Sequence, residues 1–330
     1  MALDVKVEIS LAKPVGKAGT WFPLLYVIMG EGETELYGEY SNLDEVAVVY
    51  QEGTDAYKAA NLLFMQKDAP NKIAILKGGE SIATVLPKYI NKGWRQLIVL
   101  DDFNAAVATY IETTDKMYFT HFAAQAELET AYNTIKEYER TVCILYTGED
   151  VAYPEAAVVG ATAGLKTGSF TYKNMIIKGV PALDMTDEVI EAAHNNGAIV
   201  ILEKAGDIVT SEGIVASGEY IDVIDSEDFV IQNIAYKVQK VFNNNNKVPF
   251  TDTGISLLES AVYSALVESY ANGMIANNAD GSPAYSTNFA LRSQTTENDR
   301  ADRNYPYGEF EFELAGAIHT AYKIRGVVTV

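Results

Sequence analysis

KIAIL at residues 72–76, ESIATVLPKYIN at 80–91 and QLIVL at 96–100 are the stretch that decides the fold class. The two apolar runs are short, rich in branched residues and bounded by glycine or polar residues, as buried strands are. The segment between them is long enough for a helix. A helix between two buried strands is the crossover a parallel pair requires.

The alternation continues outward. Asp101 and Asp102 stand where a helix running to residue 112 would be capped. Residues 117–122 read as a third strand, 125–139 as a helix, 141–146 as a fourth strand, and 154–165 as a helix rich in small residues. Residues 21–168 are therefore expected to form an α/β domain of parallel strands with crossover helices.

The second half changes character. Residues 185–195 read as a helix capped by Thr186, and 198–203 and 207–214 as strands. Ser226 is read as the cap of a further helix, with Glu227 and Asp228 in its first turn, where carboxylates favour the macrodipole. Ile231, Ile234, Val238 and Val241 give that helix its stripe, and Asn243 to Asn246 end it. Asp252 or Thr253 opens another helix, closed by Asn272 and Gly273. Residues 277–303 are polar and read as a loop. Residues 309–330 are strand-rich: Phe310, Phe312 and Leu314 alternate, then Ile318, Tyr322 and Ile324, then Val328 and Val330.

The chain has 330 residues, 48% hydrophobic and 21% charged, enough for a sizeable core and two domains. Its net charge of −20 disfavours nucleic acid and anionic membranes as partners, since both need a basic face. The one cysteine, Cys143, sits in a strand-like run and is read as a core residue. The N-terminus shows no secretory signal, and no apolar run approaches the ~20 residues of a membrane helix. Synthesis in the cytoplasm is expected, with any exit by another route, such as lysis.

Candidate chemistry is weak. Gly160-Ala-Thr-Ala-Gly164-Leu-Lys166-Thr167 has the wrong glycine spacing for a phosphate loop, and Leu165 displaces the lysine. Between Gly30 and Glu35 three carboxylates stand where a pyrophosphate would lie. Gly78-Gly79-Glu80 is the best anion site by geometry, on two glycines alone. His121, His194 and His319 lack ligand-spaced neighbours and are read as packing or capping residues. Asn277-Asn-Ala-Asp280-Gly lacks the glutamate a calcium loop needs and is read as a turn. No catalytic, cofactor or metal residue is assigned. The 21 tyrosines suit half-buried sheets and leave an aromatic interface open.

The two ends are more informative. Leu3, Val5, Val7 and Ile9 alternate with Asp4, Lys6, Glu8 and Ser10, a half-buried strand. Pro14, Gly16 and Gly19 follow as a hinge. Ordering about eight residues costs roughly 1–2 kcal/mol each. Burying the four apolar side chains returns about 1.5–3 kcal/mol each, and net hydrogen bonds about 0.5–1.5 kcal/mol apiece. The sum is near balance, so the strand needs a sheet edge to receive it. That edge belongs to the same molecule or to a neighbour, and a neighbour contact that does not close gives a helical filament.

Arg300, Arg303, Tyr305-Pro306, Gly308, Phe310, Phe312 and Leu314-Ala-Gly-Ala-Ile318-His319 resemble the closing signature of contractile tail sheath proteins. Ser217-Gly-Glu-Tyr-Ile221-Asp222, followed by Asp228, resembles the opening of their shared domain, and Val248-Pro-Phe-Thr-Asp-Thr-Gly254-Ile255 the turn before its second helix. The resemblance covers about 171–330 and the N-terminal arm. The length resembles the short sheaths of phages, defective prophages and phage-tail-like bacteriocins.

This resemblance implies an N-terminal linker arm at 1–20 (strand 3–9), a variable α/β domain at 21–168, an α+β sheath domain at 169–308 and C-terminal strands at 309–330. Six copies would form a ring around a tail tube, with rings stacked helically. Leu3, Val5, Val7, Ile9, Phe310, Phe312, Ile318, Tyr322, Ile324, Val328 and Val330 would pair with neighbouring copies. A baseplate signal would start contraction, which drives the tube through the target envelope without nucleotide. Tail tube, baseplate and tail terminator proteins would be partners, within a virion tail or bacteriocin particle. Two alternatives stand beside it. A tube or capsid subunit would differ in polymer diameter, and an α/β enzyme would respond to nucleotides in a thermal-shift screen.

Overall fold

Five parallel ladders run through the centre of the molecule, as the crossover pattern requires. The computed structural model describes residues 17–319. The strand and hinge residues Leu3, Val5, Val7, Ile9, Pro14, Gly16, Tyr322, Ile324, Val328 and Val330 lie outside the described residues.

In chain order the elements are β1 (Phe22–Ile28), β2 (Leu36–Tyr40), α1 (Leu43–Val49), α2 (Asp55–Phe64), β3 (Ile73–Gly78), α3 (Ile82–Val85), β4 (Trp94–Val99), α4 (Ala105–Glu112), β5 (Met117–Phe122), α5 (Gln125–Ile135), β6 (Thr141–Leu145) and α6 (Pro154–Thr162). Then come α7 (Asp187–Asn195), β7 (Ala198–Lys204), β8 (Asp207–Thr210), α8 (Ile221–Asn244), α9 (Asp252–Ala271), β9 (Tyr285–Phe289), α10 (Glu297–Ala301) and β10 (Gly308–Phe312).

The main sheet has the order β2-β3-β1-β4-β5-β6-β7-β8. Strands β3 through β7 in that order are parallel, and β2 and β8 are antiparallel edges. Helices cover both faces, so the central strands are mostly apolar on both sides rather than alternating, with Arg95 and Gln96 of β4 as buried exceptions. Leu25, Ile75, Ile98, Phe119 and Ile144 pack with α2 and α6 on one face. Leu24, Leu76, Leu97, Tyr118 and Cys143 pack with α3, α4, α5 and α7 on the other. Cys143 is a core residue, and burial pushes its thiol up to about 12. Gly160 lies where α6 meets α2: a Cβ there would sit 2.6 Å from the Leu63 carbonyl oxygen. Pro23 falls at the register shift between β1 and β4, where the ladder does not need its missing N–H.

Several expectations are corrected. The helix over 80–91 is one turn, α3, followed by a 3-10 turn at Leu86–Lys88, because Pro87 cannot continue an α-helical ladder. Asn104, not Asp101 or Asp102, caps α4; its side chain accepts from the N–H groups of Ala106 and Val107. Helix α8 starts at Ile221, so Ser226 is a buried interior residue and Asp228 lies beyond the first turn. The polar stretch 277–303 contains β9 and α10. Strands β7 and β8 join the same sheet as β1 through β6, so the boundary expected at residue 168 falls between strands of one sheet.

A smaller core joins α8 to α9 and the β9–β10 hairpin, built on Phe229, Val230, Ile234, Val262, Leu266 and Met274.

Candidate functional site

The topology reverses between β1 and β4, where ligands of doubly wound sheets bind outside the strand ends. The crevice there is lined by Val27, Ile28, Asp55, Glu80, Leu100, Asp101 and Asn104. Three carboxylates face a space that would have to take phosphate, so the crevice repels nucleotides. The phosphate-loop look-alike starts in the last turn of α6 and runs off its C-terminal end, whereas a phosphate loop leads into a helix N-terminus. Glu33 is tied to Lys77 at 2.9 Å, and Glu35 to Lys88 at 3.0 Å. Among the described residues no group of three or more His, Cys, Asp or Glu side chains could hold a metal ion. Asp280 accepts from the Ser282 N–H and hydroxyl, closing the turn expected there.

The histidines have packing partners. His194 ends α7, 2.8 Å from the Ser211 hydroxyl. His121 Nδ1 lies 2.8 Å from Glu155, whose side chain is 1% exposed. Burial pushes the His121 imidazole down, but the bond to Glu155 and the charges of Glu155, Asp102 and Glu127 outweigh it and raise the pKa above its ordinary value. A raised folded pKa gives stability that is complete below the unfolded value, ~6.5, and lost as pH rises through the folded one. The melting temperature is therefore expected to fall by roughly 2 °C or more between pH 6 and pH 8.5. Glu155→Gln should abolish or invert that slope. An unchanged slope in Glu155→Gln, followed by calorimetry, would remove the pair from the account.

The constellation that stands out is the hairpin with its two helices. Helix α9 is capped by Thr251, whose hydroxyl accepts from Gly254 N–H. A Cβ on Gly254 would sit 1.8 Å from the Pro249 carbonyl oxygen, so the turn accepts only glycine. Tyr305 stacks on Phe289 at 6.1 Å, meets Phe250 edge-on at 5.9 Å and donates to the Ala290 carbonyl at 2.7 Å. Tyr307 donates to Asp299 at 2.5 Å, and Arg300 to the Thr295 carbonyl at 2.5 Å. The sequence signature is thus the set of braces that folds 290–307 against the hairpin.

β9 and β10 pair antiparallel from Gly308↔Phe289 to Phe312↔Tyr285. Phe310 and Phe312 turn inward against the smaller core. Ser286, Asn288, Glu309 and Glu311 face out; Ser286 donates to Glu311 at 2.8 Å and Asn288 to Glu309 at 3.2 Å. Among the described residues the hairpin is a two-stranded sheet with no third ladder partner. Beside it runs an apolar groove lined by Val238, Phe242, Phe250, Leu258, Phe289 and Phe310.

After β10 no further strand follows among the described residues. Leu314 makes only an isolated bridge to Ile275, Gly316 turns with φ 47°, and Ile318 is 92% exposed. His319 is not in a strand either; it meets Tyr220 edge-on at 4.6 Å and lies 2.9 Å from the Thr171 hydroxyl. At the other end Gly19, with φ 71°, packs on α8: a Cβ there would be 2.9 Å from Phe229.

Sequence reasoning missed a buried ionic cluster linking α8 to the sheet. Arg95 on β4, 2% exposed, binds Asp225 through Nε at 2.8 Å and Asp228 through Nη2 at 2.8 Å. Arg140 grips Asp228 from the start of β6. The separation of 130 positions between Arg95 and Asp225 leaves no local signal.

No protein-family model matches the sequence, and no curated protein does. Solved structures do. A chain of the anti-feeding prophage (AFP) baseplate aligns over 100% of this chain and 99% of its own, at 14% identity and a TM-score of 0.73. A chain of the PVC sheath complex, an extracellular contractile injection system in the contracted state, aligns over 99% and 97%, at 13% identity and 0.73. The sheath tail protein of Listeria innocua aligns over 92% and 97%, at 9% identity and 0.58. The chain has the mixed α/β fold of contractile tail sheath proteins, as the signature residues led one to expect.

Proposed function

We propose that this chain is the structural subunit of a contractile tail sheath. It polymerises as stacked hexameric rings around a tail tube and contracts to drive the tube through a target envelope. The observation that carries the reading is the end-to-end likeness of its fold to chains of the contracted AFP helical sheath and of the contracted PVC sheath complex. The carboxylate-lined crevice speaks against the nucleotide-enzyme alternative.

The hairpin β9–β10 and its groove are the receiving site. Residues 1–20 and, of the expected 309–330, the part beyond β10 are the arms, and strands 3–9 and 322–330 of neighbouring copies extend the hairpin into a larger sheet. Apolar side chains on alternate positions of both arms would cover the groove. The contacts are head-to-tail and do not close, which gives a helical stack. Other partners on this reading are tail tube, baseplate and tail terminator proteins, in a particle assembled in a bacterial cytoplasm.

Negative-stain microscopy of the purified chain, alone and with its tube protein, tests this. Hollow tubes wide enough to surround a tail tube are expected. Narrow tubes without a lumen, or closed shells, would point to the other virion polymers.

A further inference from the structure

Resting on the sheath reading above, we propose that residues 313–319 form a strap across the joint between the main-sheet body and the smaller core. His319 is its pin, a positioning residue that fixes where the rest of the chain departs.

The strap begins on the smaller core. Glu313 and Ala315 donate their N–H groups to the Ala284 and Met274 carbonyls at 2.9 and 2.8 Å, and Leu314 bridges to Ile275. It ends on the body, at the start of α8. There the His319 imidazole meets the Tyr220 ring edge-on, and its Nε2 lies 2.9 Å from the Thr171 hydroxyl. Thr171 has one hydroxyl hydrogen, which it donates to Asp222 at 3.4 Å. Its oxygen is left to accept, so Nε2 carries the hydrogen between them. A relay from His319 through Thr171 to Asp222 thus ties the strap to α8.

Between these fastenings the strap crosses a cavity walled by Ser169, Thr171, Asp222, Met274 and Leu314. Gly168 and Gly273 line the same cavity, both with φ 83°. A Cβ on Gly168 would sit 2.4 Å from the Met274 side chain, so the body and the smaller core approach each other through glycine. A Cβ on Gly316 would meet nothing within 4 Å, and Ile318 is 92% exposed. A segment that spans a cavity with so few neighbours takes little direction from packing. The pin therefore decides its course. Closed, it makes the chain depart from the start of α8. Open, it moves the departure back to Ala315 on the smaller core, four residues and up to about 14 Å of chain away. Fixing the departure before a neighbour arrives reduces the ordering that assembly must supply.

The test uses full-length chains, with circular dichroism confirming that each variant folds. I318C carries a nitroxide label, and the native thiol, Cys143, is buried and does not compete for it. The label should move slowly in this background and with T171S, which keeps the hydroxyl. It should move freely with H319A, and with T171V, which keeps the shape and removes the hydroxyl. Equal mobility in all four, or free motion with T171S as well, would overturn the pin. Without the label, T171V and H319A should each raise the concentration needed for assembly about tenfold, and T171S should leave it unchanged. Wild-type assembly from a chain whose label moves freely would show that the pin does not set the departure, and would overturn the proposal. A chain ending at His319 runs alongside. If it assembles normally, the reading of the C-terminal arm itself fails. If it does not, while T171V and H319A assemble like the wild type, the pin fails alone.

Discussion

Arg95→Ala is expected to cost the fold about 3–5 kcal/mol. The guanidinium is fully enclosed. It binds Asp225 and Asp228, donates to the Asp115 carbonyl at 2.8 Å, and lies 4.5 Å from the Trp21 ring. Removing it leaves two carboxylates inside the protein with Arg140, itself bound to Asp228, as the remaining cation in contact with them. Stranding a buried charge without its counterion is the largest part of that cost, so the loss should far exceed that of a surface ion pair such as Lys58–Asp55. Arg95→Lys should recover only part, because one ammonium cannot reach both carboxylates in a planar fork. Urea denaturation gives the measurement. A loss under about 1 kcal/mol, the size of an exposed pair, would mean the cluster is not what joins β4 to α8.

The same cluster sets an acid dependence. Burial pushes the Asp228 carboxyl up, but Arg95 and Arg140 together overcome it and hold it below the usual aspartate range. A depressed folded pKa gives stability that is present above the unfolded value, ~3.9, and lost as pH falls through the folded one. The deficit of Arg95→Ala is therefore largest near neutrality and shrinks on acidification below about pH 4. On the sheath reading this matters because α8 packs on α9, against which the hairpin lies. The cluster would then make the sheet, α8 and the proposed receiving edge turn together.

The sheet was readable because its signal is local. Runs such as 73–76 and 142–145 are apolar throughout, as strands covered on both faces tend to be. What failed depended on partners far away in sequence. Ser226 has the chemistry of a cap, but Ile221 and Ile224 bury against the sheet and pull the helix start back to Tyr220. Phe310 and Phe312 were legible as a strand by period two. Ile318 continued the pattern on paper, yet Leu314 had already left β10 to meet Ile275. The signature Arg300, Tyr305, Gly308 was visible as a resemblance before its mechanics were, since Arg300 ties down Thr295 in the loop, Tyr305 stacks on Phe289, and Gly308 leaves room for that ring. Gly308 has a steric reason: a Cβ there would sit 2.6 Å from the Phe289 ring.

Deleting residues 1–12 should leave a folded monomer that forms no tubes. The described core begins at Ala18, which is 7% exposed against Phe229, and Trp21 donates to Gln232 at 2.9 Å. The body is thus closed off downstream of the deletion, and its melting temperature should stay within about 2 °C of the full chain. Assembly is another matter. Each added strand contributes a row of main-chain hydrogen bonds at about 0.5–1.5 kcal/mol net and four apolar side chains at about 1.5–3 kcal/mol each. Losing one arm per copy removes most of the attraction along the lattice, so the critical concentration should rise by several orders of magnitude. Such a mesh also explains how contraction could proceed without dissociation. On the proposed reading, ladders between copies would persist while bodies rotate on them, and only side-chain contacts between bodies would exchange. Sedimentation and negative stain of the deletion decide the matter. Tubes of normal appearance at wild-type concentrations would mean that copies hold one another by their bodies alone.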